Sequence, residues 1–96
     1  MNMTYDKLLK RKRIVDGVLF EEKAFHPTAF KSNVFAVSFY PKNKKFLTDK
    51  DIAFTQVSAA NSEEAIEKAR EDLDYDVKRI ATDLQHRKTH KKLVHV

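Results

Sequence analysis

From Asn61 to Lys92 the chain contains no Gly and no Pro, and its apolar residues Ala65, Ile66, Ala69, Leu73, Val77, Ile80, Ala81 and Leu84 fall on one stripe. Spacing of three and four predicts a long amphipathic helix that must bury this stripe against another element. Asn61 and Glu64 form a capping-box pattern, and Glu63 and Glu64 suit the positive end of the helix dipole, so the start of the helix is well defined. Asp72, Asp74 and Asp76 are mediocre helix formers that repel one another. A break there would leave residues 77–84 as a final strand. Val77, Ile80, Ala81 and Leu84 fit the helical period and not the two-residue one, so one continuous helix is expected.

That helix needs a sheet to lie on. The clearest strand is Asn33 to Tyr40, with Phe35, Val37 and Phe39 sharing one face. A second strand runs from about Asp51 to Ala59. Ile52 and Phe54 are expected on one face with Val57 out of phase, which predicts a bulge or a strand partly covered on both sides. A hairpin through residues 42–50 is the economical way to pair these two strands. Upstream, Thr4 is placed to cap a short helix with Tyr5, Leu8 and Leu9 as its apolar face. Lys10-Arg11-Lys12-Arg13 continues it to a stop at Gly17, the only glycine. The same residues allow a different arrangement, a two-residue Asp16-Gly17 hairpin joining Arg13–Val15 to Val18–Phe20; the helix is slightly favoured. Val18 to Phe20 is then a short strand, and Glu21 to Ser32 a loop, extended before Pro27 and pinned by Phe25 and Phe30. The expectation is a single α+β domain, 1–96: a short N-terminal helix and a small antiparallel sheet of about three strands, packed against one long C-terminal helix. The element order is superficially similar to that of double-stranded RNA binding domains. Glu63 and Glu64 stand where such domains grip phosphate with cations, so no family membership is inferred.

With 42% hydrophobic and 34% charged residues, the chain is too apolar for disorder. Cysteine is absent, which excludes disulfides, thiolate metal sites and a cysteine nucleophile. No apolar run is long enough to span a bilayer, and the N-terminal residues lead into charge, so a cytoplasmic protein without membrane contact is expected. A single glycine rules out glycine-rich nucleotide loops. Ser38, Ser58 and Ser62 are accounted for by strand and cap positions, and the paired acids by solvation. A non-enzymatic protein without a cofactor is therefore expected. His86 and His90, four apart with Asp83 before them, are the one metal-like spacing, but Arg87 and Lys88 oppose a cation there and no metal site is assigned.

Charge is distributed unevenly. Residues 1–51 carry +5, residues 52–84 carry −4 and residues 85–96 carry +4. Clustered cations of this kind create a local potential for an anionic partner. The first cluster is Lys7, Lys10, Arg11, Lys12 and Arg13, where Lys7, Lys10 and Arg11 would share related faces of a helix. The second is Arg87, Lys88, Lys91 and Lys92, which also complement the negative end of the helix dipole. Lys42, Lys44 and Lys45 lie between them in an exposed turn. Tyr40, beside that turn, is the ring expected to be accessible, whereas Phe35 and Phe39 are expected in the core. These clusters point to DNA or RNA held by backbone contacts with weak sequence selectivity. The alternative is a protein-interaction module, a small regulator or inhibitor of the kind viruses and mobile elements encode. It would dock on a larger protein through the acidic shaft (Glu67, Glu71, Asp74, Asp76) or the cationic tip. A helix longer than a thin sheet can cover also allows a homodimer.

Overall fold

Asp16 and Gly17 set the N-terminal half. Both have positive φ, 50° and 83°, the conformation of a two-residue turn whose twist matches that of paired strands. The computed structural model describes residues 5–27 and 33–94, with side chains described for 8–26 and 33–86. In it this turn joins β1 (Tyr5–Val15) to β2 (Val18–Pro27) in a long antiparallel hairpin, in register from Lys7↔His26 to Val15↔Val18. The expected N-terminal helix is thus replaced by a strand, and most of the expected loop 21–32 by the second half of β2. Thr4 and Phe30 lie outside the described residues.

β2 pairs with β3 (Val34–Pro41), and β3 with β4 (Ala53–Ser58), giving a four-stranded antiparallel meander in the order β1-β2-β3-β4. The hairpin through residues 42–50 forms as expected. Its loop contains a single 3₁₀ turn, Asp49–Asp51. The buried Asp51 carboxylate accepts from the Thr48 backbone N–H and hydroxyl, both at 3.1 Å, and pairs with Lys44 at 3.2 Å. Burial raises the Asp51 pKa, but these bonds outweigh it and leave the carboxyl below its ordinary range. No bulge is needed at Val57. The strand runs in unbroken register with Ala53, Thr55 and Val57 toward the helices and Phe54 on the opposite face.

α1 (Ser62–Asp72) begins at the predicted cap: Asn61 Oδ1 accepts from the Glu64 N–H at 2.8 Å, while Glu64 Oε1 accepts from the Ala60 N–H at 2.6 Å. α2 (Asp74–Val94) begins one residue later. The interruption at Leu73 is slight, since its N–H still donates to Ala69 and its carbonyl accepts from Val77, at 2.8 and 2.9 Å. The expected continuous helix is therefore two, divided at Leu73 beside the aspartates, and residues 77–84 are helical and not a strand. Burying Leu73 keeps the stripe continuous across the junction.

Both helices pack on one face of the sheet. The core joins Phe20, Val37 and Phe39 of the strands to Ile66, Val77 and Ile80 of the helices. Ala24, Ala53, Ala65, Ala69 and Ala81 are also buried, and their small side chains let helix and sheet approach closely. The opposite face of the sheet carries no covering layer among the described residues.

Candidate nucleic-acid interface

Because side chains alternate along a strand, the basic run of β1 is divided between the two faces of the sheet. Arg11 and Arg13 turn toward the helices. Arg11 Nη2 pairs with Glu63 Oε2 at 3.2 Å, and Arg13 Nε donates to Glu22 Oε2 at 2.7 Å while its guanidinium lies 5.9 Å from the Phe39 ring centre. Glu22 is fully buried and is gripped from the other side by Arg70 of α1, whose Nε and Nη2 donate at 3.0 and 2.7 Å. The Arg70 guanidinium is held above its ordinary pKa, chiefly by these bonds and against the effect of burial. This Arg–Glu–Arg group ties hairpin to helix.

Lys10 and Lys12 take the other alternation and project from the uncovered face. Lys7 also lies in β1, paired with His26, but its side chain is outside the described set. The expectation that Lys7, Lys10 and Arg11 share helical faces is thus corrected by the strand period.

Cross-strand register extends the basic surface. Lys10 stands directly opposite Lys23, and that row continues to Ser38 and Phe54; Lys12 stands opposite Glu21, which faces Tyr40. Lys42 lies at the same end, and Lys10, Arg11, Lys12, Glu21 and Lys42 together line a shallow depression of about 270 Å³. Tyr40 organises the middle of the face: its hydroxyl donates to Glu21 Oε1 at 2.9 Å, and the Lys23 ammonium lies 5.3 Å from its ring centre. The Glu21 carboxyl is held below its usual range, first by the Tyr40 hydrogen bond against some desolvation, then by the field of Lys23, Lys42 and Lys10. Lys23 is raised, first by its interaction with Tyr40. Both groups are therefore charged at neutral pH. Phe54 is 56% exposed on this face, with Leu8 and Ile14 exposed near the β1 edge.

The remaining predicted cations separate. Lys44 is engaged with Asp51, and Lys45 is exposed, 5.9 Å from the ring centre of exposed Phe46. Arg87, Lys88, Lys91 and Lys92 belong to the last turns of α2, with side chains outside the described set. His90 is in the same position, and among the described residues no group of three or more His, Cys, Asp or Glu converges as a metal site would require. Lys23 and Phe54 were not anticipated as part of this surface. The β2 register would have revealed Lys23, and the Ala53/Val57 phase of β4 would have revealed Phe54.

The architecture defines an α+β protein: an antiparallel four-stranded meander carried on two C-terminal helices, with a basic, aromatic-bearing open sheet face. No helix among the described residues is long and apolar enough to cross a membrane. No protein-family model matches the chain, and no curated protein or solved structure matches it either.

Proposed function

We propose that the uncovered sheet face is a nucleic-acid-binding surface acting mainly through phosphate contacts. The observation that carries this reading is the like-charge pairing of Lys10 with Lys23, flanked by Lys12 and Lys42. Directly opposed like charges destabilise a sheet. Four lysines stand against the single carboxylate of Glu21, so the surface keeps a net positive field for an external polyanion. The cationic segment 87–92 supplies a second group of charges for the same ligand.

Fluorescence anisotropy with labelled DNA and RNA at two salt concentrations tests the reading. Micromolar or tighter binding at low salt is expected, with log K falling by about 0.7–0.9 per phosphate contact for each decade of salt. Absence of binding to every oligonucleotide at low salt would overturn it.

A second reading, docking on another protein, is favoured by a different observation on the helices. Tyr75 is 77% exposed beside the carboxylates of Glu71, Asp72 and Asp76, with Asp74 paired to Lys78, and an exposed ring with acidic groups on one side suits a basic protein surface. Partners recovered from lysate that survive nuclease treatment, and are lost with Tyr75→Ala, would support it over nucleic acid.

A further inference from the structure

We infer that the nucleic acid this face accepts is single-stranded, an inference that rests on the proposed function and deepens it. The shape of the surface is the first reason. Four strands at about 4.8 Å spacing make a platform about 14 Å between its outer strands, whereas the B-DNA major groove is about 12 Å wide and admits a helix or a two-stranded ribbon. The β1–β2 hairpin is the longest two-stranded ribbon of the sheet, but it is not free to enter a groove alone. Its inner face is tied down by Arg13–Glu22–Arg70 and Arg11–Glu63, and Gln85 of α2 donates to the Asp16 carbonyl at its tip.

The second reason is how chemistry is distributed across the platform. Lys10, Lys12 and Lys23 lie on β1 and β2, with Lys42 just beyond the end of β3. The exposed ring of Phe54, with Ser38 and Gln56 beside it, lies on the β3–β4 side. A duplex offers a flat surface its sugar–phosphate exterior, which has no use for an exposed aromatic ring. A single strand offers phosphates on one side and unstacked bases on the other, so it satisfies both tracks: phosphates over the lysines, and a base stacked on Phe54 with its edge near Ser38 and Gln56. Tyr40 plays a different part. The Lys23 ammonium lies over its ring and Glu21 accepts from its hydroxyl, which makes Tyr40 a positioning residue for Lys23 and leaves Phe54 as the stacking ring.

The test is anisotropy with labelled mixed-sequence oligonucleotides of about 15 nucleotides, as single-stranded DNA, single-stranded RNA and the corresponding DNA duplex. Either single strand should bind at least about 10-fold more tightly than the duplex, with the tighter of the two identifying the preferred sugar. Phe54→Ala should weaken single-strand binding by about 5- to 150-fold, as loss of one stacked base does, with duplex affinity and melting temperature unchanged. Phe54→Trp should retain or improve it. Duplex bound as tightly as single strands, or Phe54→Ala without effect, would overturn the inference while leaving the proposed function standing. No binding to any of the three at low salt would overturn both.

Discussion

Replacing Glu22 by Gln is expected to destabilise the domain by about 2–4 kcal/mol, although the side chain keeps its size. Glu22 is an acceptor for three donors, Arg13 Nε, Arg70 Nε and Arg70 Nη2. A Gln amide retains one acceptor oxygen and turns an NH₂ donor toward a guanidinium. The fully buried site offers it no water in exchange. Because the two arginine side chains remain about 30% exposed, the loss should lie toward the lower end of what breaking a buried ion pair costs. For a domain of this size it corresponds to a fall in melting temperature of about 10–25 °C. Thermal denaturation followed by circular dichroism measures it, and a shift below about 4 °C would mean that the group does not tie hairpin to helix. Replacing all three together, Arg13→Met, Glu22→Leu and Arg70→Met, should restore most of the stability, since well-packed apolar substitutes for a buried ionic group are often neutral or better.

Binding should be most sensitive to Lys10, Lys12, Lys23 and Lys42. With all four changed to Ala, the slope of log K against log salt for a single strand should flatten by about 3, and affinity at 0.1 M salt should drop by about 100- to 1,000-fold. These side chains are partly or fully exposed and hold no core contacts. Removing the Lys10–Lys23 opposition relieves a local repulsion, while losing the Lys23–Tyr40 contact and the attraction of the lysines for Glu21 costs a similar small amount, so the melting temperature should change by only a few degrees. The effect of net charge is controlled by changing Lys50, Lys68 and Lys78, three cations on the loop and helices; that variant should lose less than about 3-fold per charge removed. Equal losses per charge from both variants would mean that the attraction is diffuse and not located on the sheet.

The C-terminal half was legible because its pattern is pure. Residues 65–84 place every buried apolar side chain on one helical stripe, and Asn61 and Glu64 mark the start with their own hydrogen bonds. The N-terminal half was obscured by its own stabilising chemistry. In β1 the inward positions include Arg11 and Arg13, and in β2 they include Glu22, so the alternation of apolar and polar residues that announces a strand is broken where charge is buried. Leu8-Leu9 and Ile14-Val15, each an adjacent apolar pair, then mimic a helical stripe. Asp16-Gly17 carried the correct signal, since both residues take positive φ, but a glycine stop for a helix uses the same residue type. Likewise Lys10 and Lys12 were identifiable as candidate contacts from charge alone. Their separation from Arg11 and Arg13, and their assembly with Lys23 and Phe54, depend on a register that spans all four strands.

The most direct measurement is residue-by-residue mapping of backbone amide shifts while a short single-stranded oligonucleotide is titrated into the labelled protein. If the open sheet face is the binding surface, the largest changes fall on alternating positions, Lys10 and Lys12 in β1, Lys23 in β2, Ser38 and Tyr40 in β3, and Phe54 and Gln56 in β4, with Ile66, Ala69 and Val77 beneath the sheet unmoved. Changes confined to α1, or to residues 85–92 with the strands silent, would contradict it.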